Sequence, residues 1–182
     1  MKFLYQQVKD INYRNKEGVS ALTNAVQRNS VGVIKFLVES GADVLVKDKK
    51  GNNLFFYLIK YFKPKKLHLL REKVEILSPN GFDISQKQKD GNSLYHLAIE
   101  TKDVEFLEWV YSQNIEINSK NNNGITPLHK AIMTGKNDEL IKLLIRFGAD
   151  KTIKTNFDES SYELALENEL LKKNATDINF LK

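Results

Sequence analysis

A short pattern that begins at a glycine recurs along this chain of 182 residues. It stands at residues 18–25, 51–58, 91–98 and 124–131, and again at 158–165, where aspartate replaces the glycine. Successive copies are spaced by 33, 40, 33 and 34 residues. Self-similarity at such a period predicts a stack of small units, each of which buries its apolar face against the next.

Each copy of the pattern predicts the start of a helix. In the fourth copy, the Thr126 hydroxyl can cap the helix and Pro127 suits its first position, where a missing N–H costs little. Leu128 and Ala131 then fall on one helical face, and Gly124 supplies the preceding turn. The cap position of three other copies is held by Ser20, Ser93 and Ser160.

A second pattern recurs in the same phase, at residues 41–44, 81–84, 114–117 and 148–151. Between the two patterns lies a second helical segment, in which Val33, Ile34, Leu37 and Val38 form an apolar stripe. Gly41 is placed to end that helix in a left-handed conformation. Each unit is therefore predicted to be a helix, a short turn, a second helix and an extended turn.

These residues resemble the ankyrin repeat family, whose consensus runs G-x-T-P-L-H-x-A-A through a second helix to G-A-D-V-N. The resemblance covers nearly the whole chain. It implies an all-α ankyrin-repeat solenoid of stacked helix-turn-helix pairs, with β-turn fingers along one edge. Repeat two departs most from the consensus, with Asn53, Leu54 and Phe56 where Thr, Pro and His are usual.

The repeat boundaries follow from the two patterns. Residues 1–12 are predicted to be an N-terminal partial repeat that caps the stack, since residues 1–4 match residues 34–37 at an offset of 33. Equally, the chain can be a piece of a longer array. Five repeats follow, at residues 13–45, 46–85, 86–118, 119–152 and 153–182, the last including a polar C-terminal cap.

Repeat two contains about seven extra residues near 63–69. Pro64 predicts a break between two helices, and a tolerated loop is the expected form of the insertion. Binding of a partner through its three lysines, Lys63, Lys65 and Lys66, is the second, less favoured interpretation.

Composition excludes several classes of protein. With 41% hydrophobic and 28% charged residues the chain has the make-up of a soluble globular protein, and charges interrupt every apolar run. We therefore expect a cytoplasmic protein, or one that works in a host cell if it is a secreted effector. The absence of cysteine excludes disulfides and thiolate chemistry.

No residue pattern favours an enzyme. His96 and His129 occupy the histidine position of the family motif, where the resemblance implies hydrogen bonds between turns of adjacent repeats. His68 lies in the insertion with no partner at a ligand spacing, which indicates a solvated loop residue. Neither phosphate-binding glycine pattern occurs, so no cofactor is expected.

Most aromatic residues fall on inward stripes. Phe36, Phe106, Trp109 and Tyr162 are predicted to be core residues, as is Phe55. Tyr61 takes a position that the family leaves exposed, and Phe157 lies in a turn where a large apolar side chain has no packing role. Both are candidate hot spots for a partner.

The charge pattern is the strongest functional signal. A basic residue occupies one equivalent turn position in every repeat: Arg14, Lys47, Lys87, Lys120 and Lys154. Further basic residues at positions that the family varies are Lys16, Arg28, Lys49, Lys50, Lys60 and Lys89, against the acidic Glu17, Asp90, Glu100, Glu159 and Glu167. This face thus carries an excess of six positive charges on a chain of net charge +5. A merely solvated, lysine-rich edge is the alternative interpretation.

The sequence predicts a non-catalytic, monomeric protein-protein interaction module that binds an acidic segment of another protein on its basic concave and finger face. Nucleic-acid binding by the same face is one alternative, and a targeting module of a larger enzyme or effector is another. The candidate partner-binding residues are Arg14, Lys16, Lys47, Lys49, Lys50, Lys60, Tyr61, Lys87, Lys89, Lys120, Met133, Lys154 and Phe157.

Overall fold

A computed structural model describes residues 10–28, 30–60, 62–135 and 138–182. These residues form α-helices joined by turns, with no extended β-strand among them. The all-α class is therefore confirmed. The chain divides into two compact units, one ending at Lys89 and the other beginning at Asp90. The predicted N-terminal partial repeat lies outside the described residues up to residue 9, as does Tyr61.

The described residues of the first unit form two pairs of helices, because apolar residues recur there at helical spacing. The helices are α1 (Ala21–Gln27), α2 (Val31–Glu39), α3 (Leu54–Lys60) and α4 (Leu67–Leu77). Helix α1 packs against α2 and α3, and α2 packs against α4. The fully buried side chains between them include Leu22, Ile34, Phe55, Leu70 and Leu77. This arrangement fixes the turns that precede α1 and α3.

In the second unit, the part of the chain that the structure describes forms three pairs of helices. They are α5 (Leu94–Thr101), α6 (Val104–Ser112), α7 (Pro127–Thr134), α8 (Glu139–Arg146), α9 (Ser161–Glu167) and α10 (Glu169–Lys173). The members of each pair pack together, and α7 packs against both α5 and α9. The buried core here includes Tyr95, Phe106, Leu128, Leu144 and Leu171.

Two sets of turn residues adopt positive φ, as the two sequence patterns require. In the turn before the first helix of a pair, Gly124 has φ +75°, and Asp158 takes the same region at 64° where the glycine is missing. After the second helix, Gly148 has φ +96°, and Asn114 replaces glycine at 53°. Aspartate and asparagine tolerate this conformation better than other side chains. The turn geometry therefore persists where the glycine does not.

The predicted helix caps are present. Ser20 accepts a hydrogen bond from the Thr23 N–H at 3.2 Å. Thr126 accepts from the His129 N–H at 3.2 Å, and the His129 ring accepts in return from the Thr126 N–H. In repeat two, Asn53 accepts from the Phe56 N–H at 3.1 Å, so asparagine performs the capping role that the family gives to threonine.

The two motif histidines are structural, as predicted. Nδ1 of His129 accepts from the Thr126 N–H, which leaves Nε2 to donate to the carbonyl oxygen of Ile153 at 2.8 Å. His96 holds the carbonyl oxygen of Ile125 in the same way, also at 2.8 Å. Both rings are fully buried. Each ring therefore ties the start of one helix to the turn of the following repeat.

The insertion in repeat two is more ordered than predicted. Helix α3 ends at Lys60, which confirms a break, but a 3-10 turn at Pro64–Lys66 leads directly into α4 at Leu67. The loop expected over 63–69 is therefore wrong for its second half. His68 is exposed on α4 rather than in a loop. The reason is that Leu67 and Leu70, three residues apart, are both buried and anchor this segment to the core.

The predicted aromatic core is confirmed for three of its five members. Phe55 and Phe106 are completely buried, and Trp109 stacks on Phe106 with ring centroids 5.7 Å apart. Phe36 and Tyr162 are only half-buried, so their assignment to the core is wrong. Tyr162 lies on the last pair of helices, where its ring packs beneath the Lys182 ammonium group.

Candidate functional site

The turn before each first helix projects as a finger whose shape is set by one polar side chain. In the first finger, the Asn15 side-chain oxygen accepts from the N–H groups of Glu17 and Val19, at 3.0 and 2.9 Å. In the second, Asp48 accepts from the N–H groups of Lys50 and Asn52, at 2.8 and 2.9 Å. Antiparallel bridges pair Arg14 with Ser20 and Lys47 with Asn53 at the base of these fingers.

The carboxylate of Asp48 accepts hydrogen bonds from groups near its own finger. Its second oxygen accepts from the Tyr57 hydroxyl at 2.6 Å and from the Asn52 amide at 2.8 Å. Burial raises the pKa of Asp48, but these hydrogen bonds and the Lys50 N–H outweigh it and hold the pKa below its ordinary value. Asp48 is thus ionised and bound internally, while its lysine neighbours point outward.

Five lysines surround a hollow of about 410 Å³ in the first unit: Lys47, Lys49, Lys50, Lys87 and Lys89. All five are exposed. Among the described residues that line this hollow there is no carboxylate. We call this feature the lysine hollow. It concentrates positive charge on one part of the finger edge and can attract anionic groups.

Two buried amides lie among the lysines. The Gln88 side chain donates to the Asn53 side-chain oxygen at 3.0 Å, and both residues also line the hollow. Gln88 is only 9% exposed. Its own side-chain oxygen has no hydrogen-bond partner among the residues that the structure describes. An unsatisfied buried acceptor costs about 1–3 kcal/mol, which a donor from a bound molecule would offset.

The hollow exists because successive fingers are unequally spaced. The Lys49 N–H donates to the Glu17 carbonyl at 2.9 Å, and a Cβ on Gly18 would meet the Lys49 nitrogen at 2.8 Å. At the equivalent Gly51, the nearest atom to such a Cβ is the flexible Lys89 side chain at 3.5 Å. The first two fingers therefore touch through their backbones, whereas the space beside Gly51 is bounded by side chains.

The basic residues of the predicted column have different surroundings. Arg14 forms an ion pair with Asp43 at 3.2 Å, and Lys154 forms one with Asp158 at 2.9 Å. Lys47 and Lys87 line the lysine hollow instead. Lys120, in the second unit, is exposed. Two members of the predicted basic column thus have a carboxylate partner nearby, and the role of the column in binding stays a prediction.

The remaining basic candidates lie away from the hollow. Lys16 and Arg28 are exposed. Lys60 is also exposed, at the end of α3, with its ammonium group 5.3 Å from the centre of the Phe56 ring. Tyr61, the aromatic candidate of the first unit, lies outside the described residues.

The second unit presents two exposed apolar candidates. Phe157 is 80% exposed at the tip of its finger, where its N–H donates to the Thr155 hydroxyl at 3.1 Å. Met133 on α7 is about half exposed. The sequence reasoning missed Tyr13 and Leu45 in the first unit, which are exposed to a similar degree. Their positions next to the finger residues are the signal that could have identified them.

The described residues offer no group of three histidine, cysteine, aspartate or glutamate side chains able to hold a metal ion. Nor does any helix in the described part of the chain combine the length and apolar character that a membrane crossing requires.

Paired helices joined by finger-like turns define the class of helical repeat proteins. Two family models described as ankyrin repeats match the chain, one of three copies over residues 65–155 and another over residues 1–38. The chain belongs to the ankyrin repeat family.

Viral proteins are among its relatives. An ankyrin repeat protein of fowlpox virus is 32% identical over 144 residues, covering 78% of this chain and 40% of that protein. An IkB-like protein of African swine fever virus is 36% identical over 115 residues, covering 59% of this chain and 46% of that protein. The chain thus spans less than half the length of these curated relatives.

Solved structures share the fold at low sequence identity. An ankyrin repeat domain from Acinetobacter baumannii superposes with a TM-score of 0.73 at 22% identity, covering 97% of this chain and 91% of that one. A chain from the complex of a Bdellovibrio bacteriovorus predatory endopeptidase with an immunity protein gives a TM-score of 0.74 at 22% identity, covering 94% and 90%. These similarities confirm the fold.

Proposed function

We propose that this chain is a non-catalytic protein-binding module whose lysine hollow binds an acidic segment of another protein. Ankyrin repeats in general are protein-protein interaction modules, which supports the class of function. The observation that carries the proposal is the set of five lysines around one hollow with no lining carboxylate among the described residues. The proposed module is a monomer and works in the cytoplasm of its own cell or of a host cell.

Electrostatics favour an anionic ligand at this position. Five ammonium groups around one space repel one another, and a ligand that carries carboxylates relieves this repulsion. The same charges speed the encounter with an acidic surface. Arg14 and Lys154 form ion pairs with Asp43 and Asp158, so we expect them to contribute less to binding.

Exposed apolar side chains would supply the desolvated contacts that charges alone do not provide. Phe157 and Met133 are the candidates on the second unit. Substitution of an exposed side chain leaves stability within about 0.5 kcal/mol. We therefore expect Phe157→Ser to weaken partner binding without changing the melting temperature, and unchanged binding would remove Phe157 from the proposed interface.

The direct test uses a fluorescent peptide of glutamate and glycine and follows its anisotropy as the full chain is added. We expect binding at low salt that is lost in a variant with Lys47→Glu and Lys50→Glu. The matched control reverses two exposed lysines outside the hollow, Lys35→Glu and Lys173→Glu, and should bind almost as well as the wild type. Equal loss in both variants would show only a response to net charge and would contradict the proposal.

An oligonucleotide of matched charge distinguishes nucleic-acid binding from peptide binding. If about four lysines contact phosphates, its affinity should fall roughly 100-fold between 50 and 200 mM salt. Tighter binding of the oligonucleotide than of the peptide, with this steep salt dependence, would replace the proposed function by nucleic-acid binding.

A further inference from the structure

The lysine hollow is small relative to the charge that surrounds it. Five lysines border about 410 Å³, a volume near the lower end of ordinary ligand clefts. A peptide segment that enters such a space brings few side chains with it. Each carboxylate contributes one negative charge, whereas a phosphorylated side chain contributes about 1.5 to 2 at neutral pH, together with three strong acceptor oxygens. Phosphoryl groups therefore match the charge density of the hollow better than carboxylates do.

The type of basic residue is compatible with phosphoryl groups. All five charges are lysines, and no arginine lines the hollow among the described residues. Arginine presents a planar fork that matches carboxylate and phosphate alike with two parallel hydrogen bonds, so the absence of arginine does not exclude either group. Lysine is a compact charge with three donors on a flexible stem, so it imposes no planar geometry. Several lysines can converge on the oxygens of one tetrahedral phosphoryl group.

The surroundings of Gly51 allow such convergence. A Cβ at this glycine would meet only the Lys89 side chain, at 3.5 Å, so the wall of the hollow is a movable side chain rather than backbone. Lys47, Lys49 and Lys50 come from the same finger, whose backbone is held by Asp48. Three lysines on a held backbone thus line the same space as the Lys87 and Lys89 side chains.

The buried amide favours a peptide as the carrier of the phosphoryl groups. The Gln88 side-chain oxygen is a buried acceptor without a partner among the described residues, and Gln88 lines the hollow. A ligand that satisfies it must carry a hydrogen-bond donor beside its anionic groups. Main-chain N–H groups of a peptide meet this requirement, while inorganic phosphate chains carry no comparable N–H.

We infer that the lysine hollow selects a phosphorylated segment of the partner protein over a segment that is acidic through carboxylates alone. This inference rests on the proposed function, because it names the chemistry of the ligand for the same site. Binding of the partner would then depend on a kinase that modifies that partner.

The test compares three versions of one fluorescent peptide, with two neighbouring positions occupied by serine, by glutamate or by phosphoserine. We expect the phosphoserine peptide to bind the full chain about tenfold more tightly than the glutamate peptide, equivalent to one further charge-assisted hydrogen bond. The variant Lys47→Glu with Lys50→Glu should abolish this preference, and the control Lys35→Glu with Lys173→Glu should retain it.

The outcomes separate this inference from the proposed function. If the glutamate peptide binds as tightly as the phosphoserine peptide, selection of phosphate is overturned while binding of acidic peptides stands. If none of the three peptides binds, the proposed function fails as well. Binding of inorganic tripolyphosphate or an oligonucleotide more tightly than the phosphoserine peptide would overturn the assignment of a peptide ligand.

Discussion

The ammonium group of Lys73, on helix α4, donates a hydrogen bond to the main-chain carbonyl of Val26 in α1 at 3.4 Å, and the lysine is 98% buried, with a residual exposure of 2%. Ile132 occupies the same position in α7 as Val26 does in α1, five residues after the start of the helix. Its carbonyl accepts a hydrogen bond from the Asn168 side chain. In each unit the end of a first helix is therefore closed by a polar side chain from the next repeat.

Because Lys73 is buried, we expect the free energy of unfolding of the first unit to vary with pH in the alkaline range. Burial, together with a smaller effect of the positive charge of Lys66, lowers the pKa of Lys73 to about 8. The unfolded chain keeps this proton until about pH 10.4, so the folded state holds fewer protons between these values and its stability rises with pH. We expect a gain on the order of 2 kcal/mol between pH 7.5 and 10.

Thermal unfolding by circular dichroism at both pH values measures this gain. The variant Lys73→Met should lack it, because no proton is released at that position. An identical pH dependence in the wild type and the variant would show that other groups cause it.

A second pH effect is expected in the second unit, in the acidic range. Burial lowers the pKa of His129, although its hydrogen bond to the Ile153 carbonyl opposes this shift. As the pH falls below about 6.5, the unfolded chain takes up the proton first, so the folded state loses stability. The ring should therefore titrate below pH 6.5 in NMR spectra of the full chain.

The variant His129→Ala checks the structural part of this prediction. It removes a helix cap and a buried tie between repeats, which we expect to cost about 2 to 4 kcal/mol at pH 7.5. The difference from the wild type should shrink towards pH 5.5, since only the wild type must protonate a buried ring. A constant difference across this range would contradict a lowered pKa.

Two glycines with the same backbone conformation provide a matched pair for the spacing of the fingers. Gly18 and Gly51 have φ of +82° and +84°, so alanine at either position carries a similar conformational cost of about 1–2 kcal/mol. At Gly18, however, the new Cβ lies 2.8 Å from the Lys49 backbone nitrogen, whereas at Gly51 it meets a flexible side chain at 3.5 Å.

We expect Gly18→Ala to destabilise the chain by about 1–3 kcal/mol more than Gly51→Ala, the usual cost of an overpacked contact. Urea unfolding of the two variants at one pH measures this difference. Equal losses would mean that the fingers beside Gly18 separate as readily as those beside Gly51.

The Asn168 amide has two roles that two substitutions can separate. Its oxygen caps α10 by accepting from the Leu170 and Leu171 N–H groups, and its nitrogen donates to the carbonyls of Ile132 and Gly135. Asn168→Asp retains the cap but removes the donor, and Asn168→Ala removes both. We expect Asn168→Asp to lose about 1 to 3 kcal/mol through the unsatisfied carbonyls, and Asn168→Ala to lose about 1 kcal/mol more because it also lacks the cap. Near wild-type stability of the aspartate variant would show that the cap alone matters.

The fold could be read from the sequence because its signals are local. Ser20 and Thr126 each accept from an N–H three residues further along the chain, so the repeat pattern predicts their capping roles. The fingers are equally local, as Asp158 shows by taking the conformation of the glycine that it replaces.

The candidate site could be predicted only in part. The sequence identifies all five lysines of the hollow, but the ion pair of Arg14 joins residues 29 positions apart and depends on how two repeats face each other. The bonds of Gln88 to Asn53 and of Lys73 to Val26 span 35 and 47 positions. No periodic pattern encodes such pairs, because each occurs once.

The unequal spacing of the fingers also has a consequence for how this chain can change over generations. Where two fingers meet through their backbones, as at Gly18, most substitutions disturb the scaffold itself. Beside Gly51 the boundary consists of long side chains that carry little of the folding energy, so single substitutions there can exchange one kind of ligand for another while the repeats stay intact. New binding specificities should therefore arise in this gap more readily than elsewhere on the first unit.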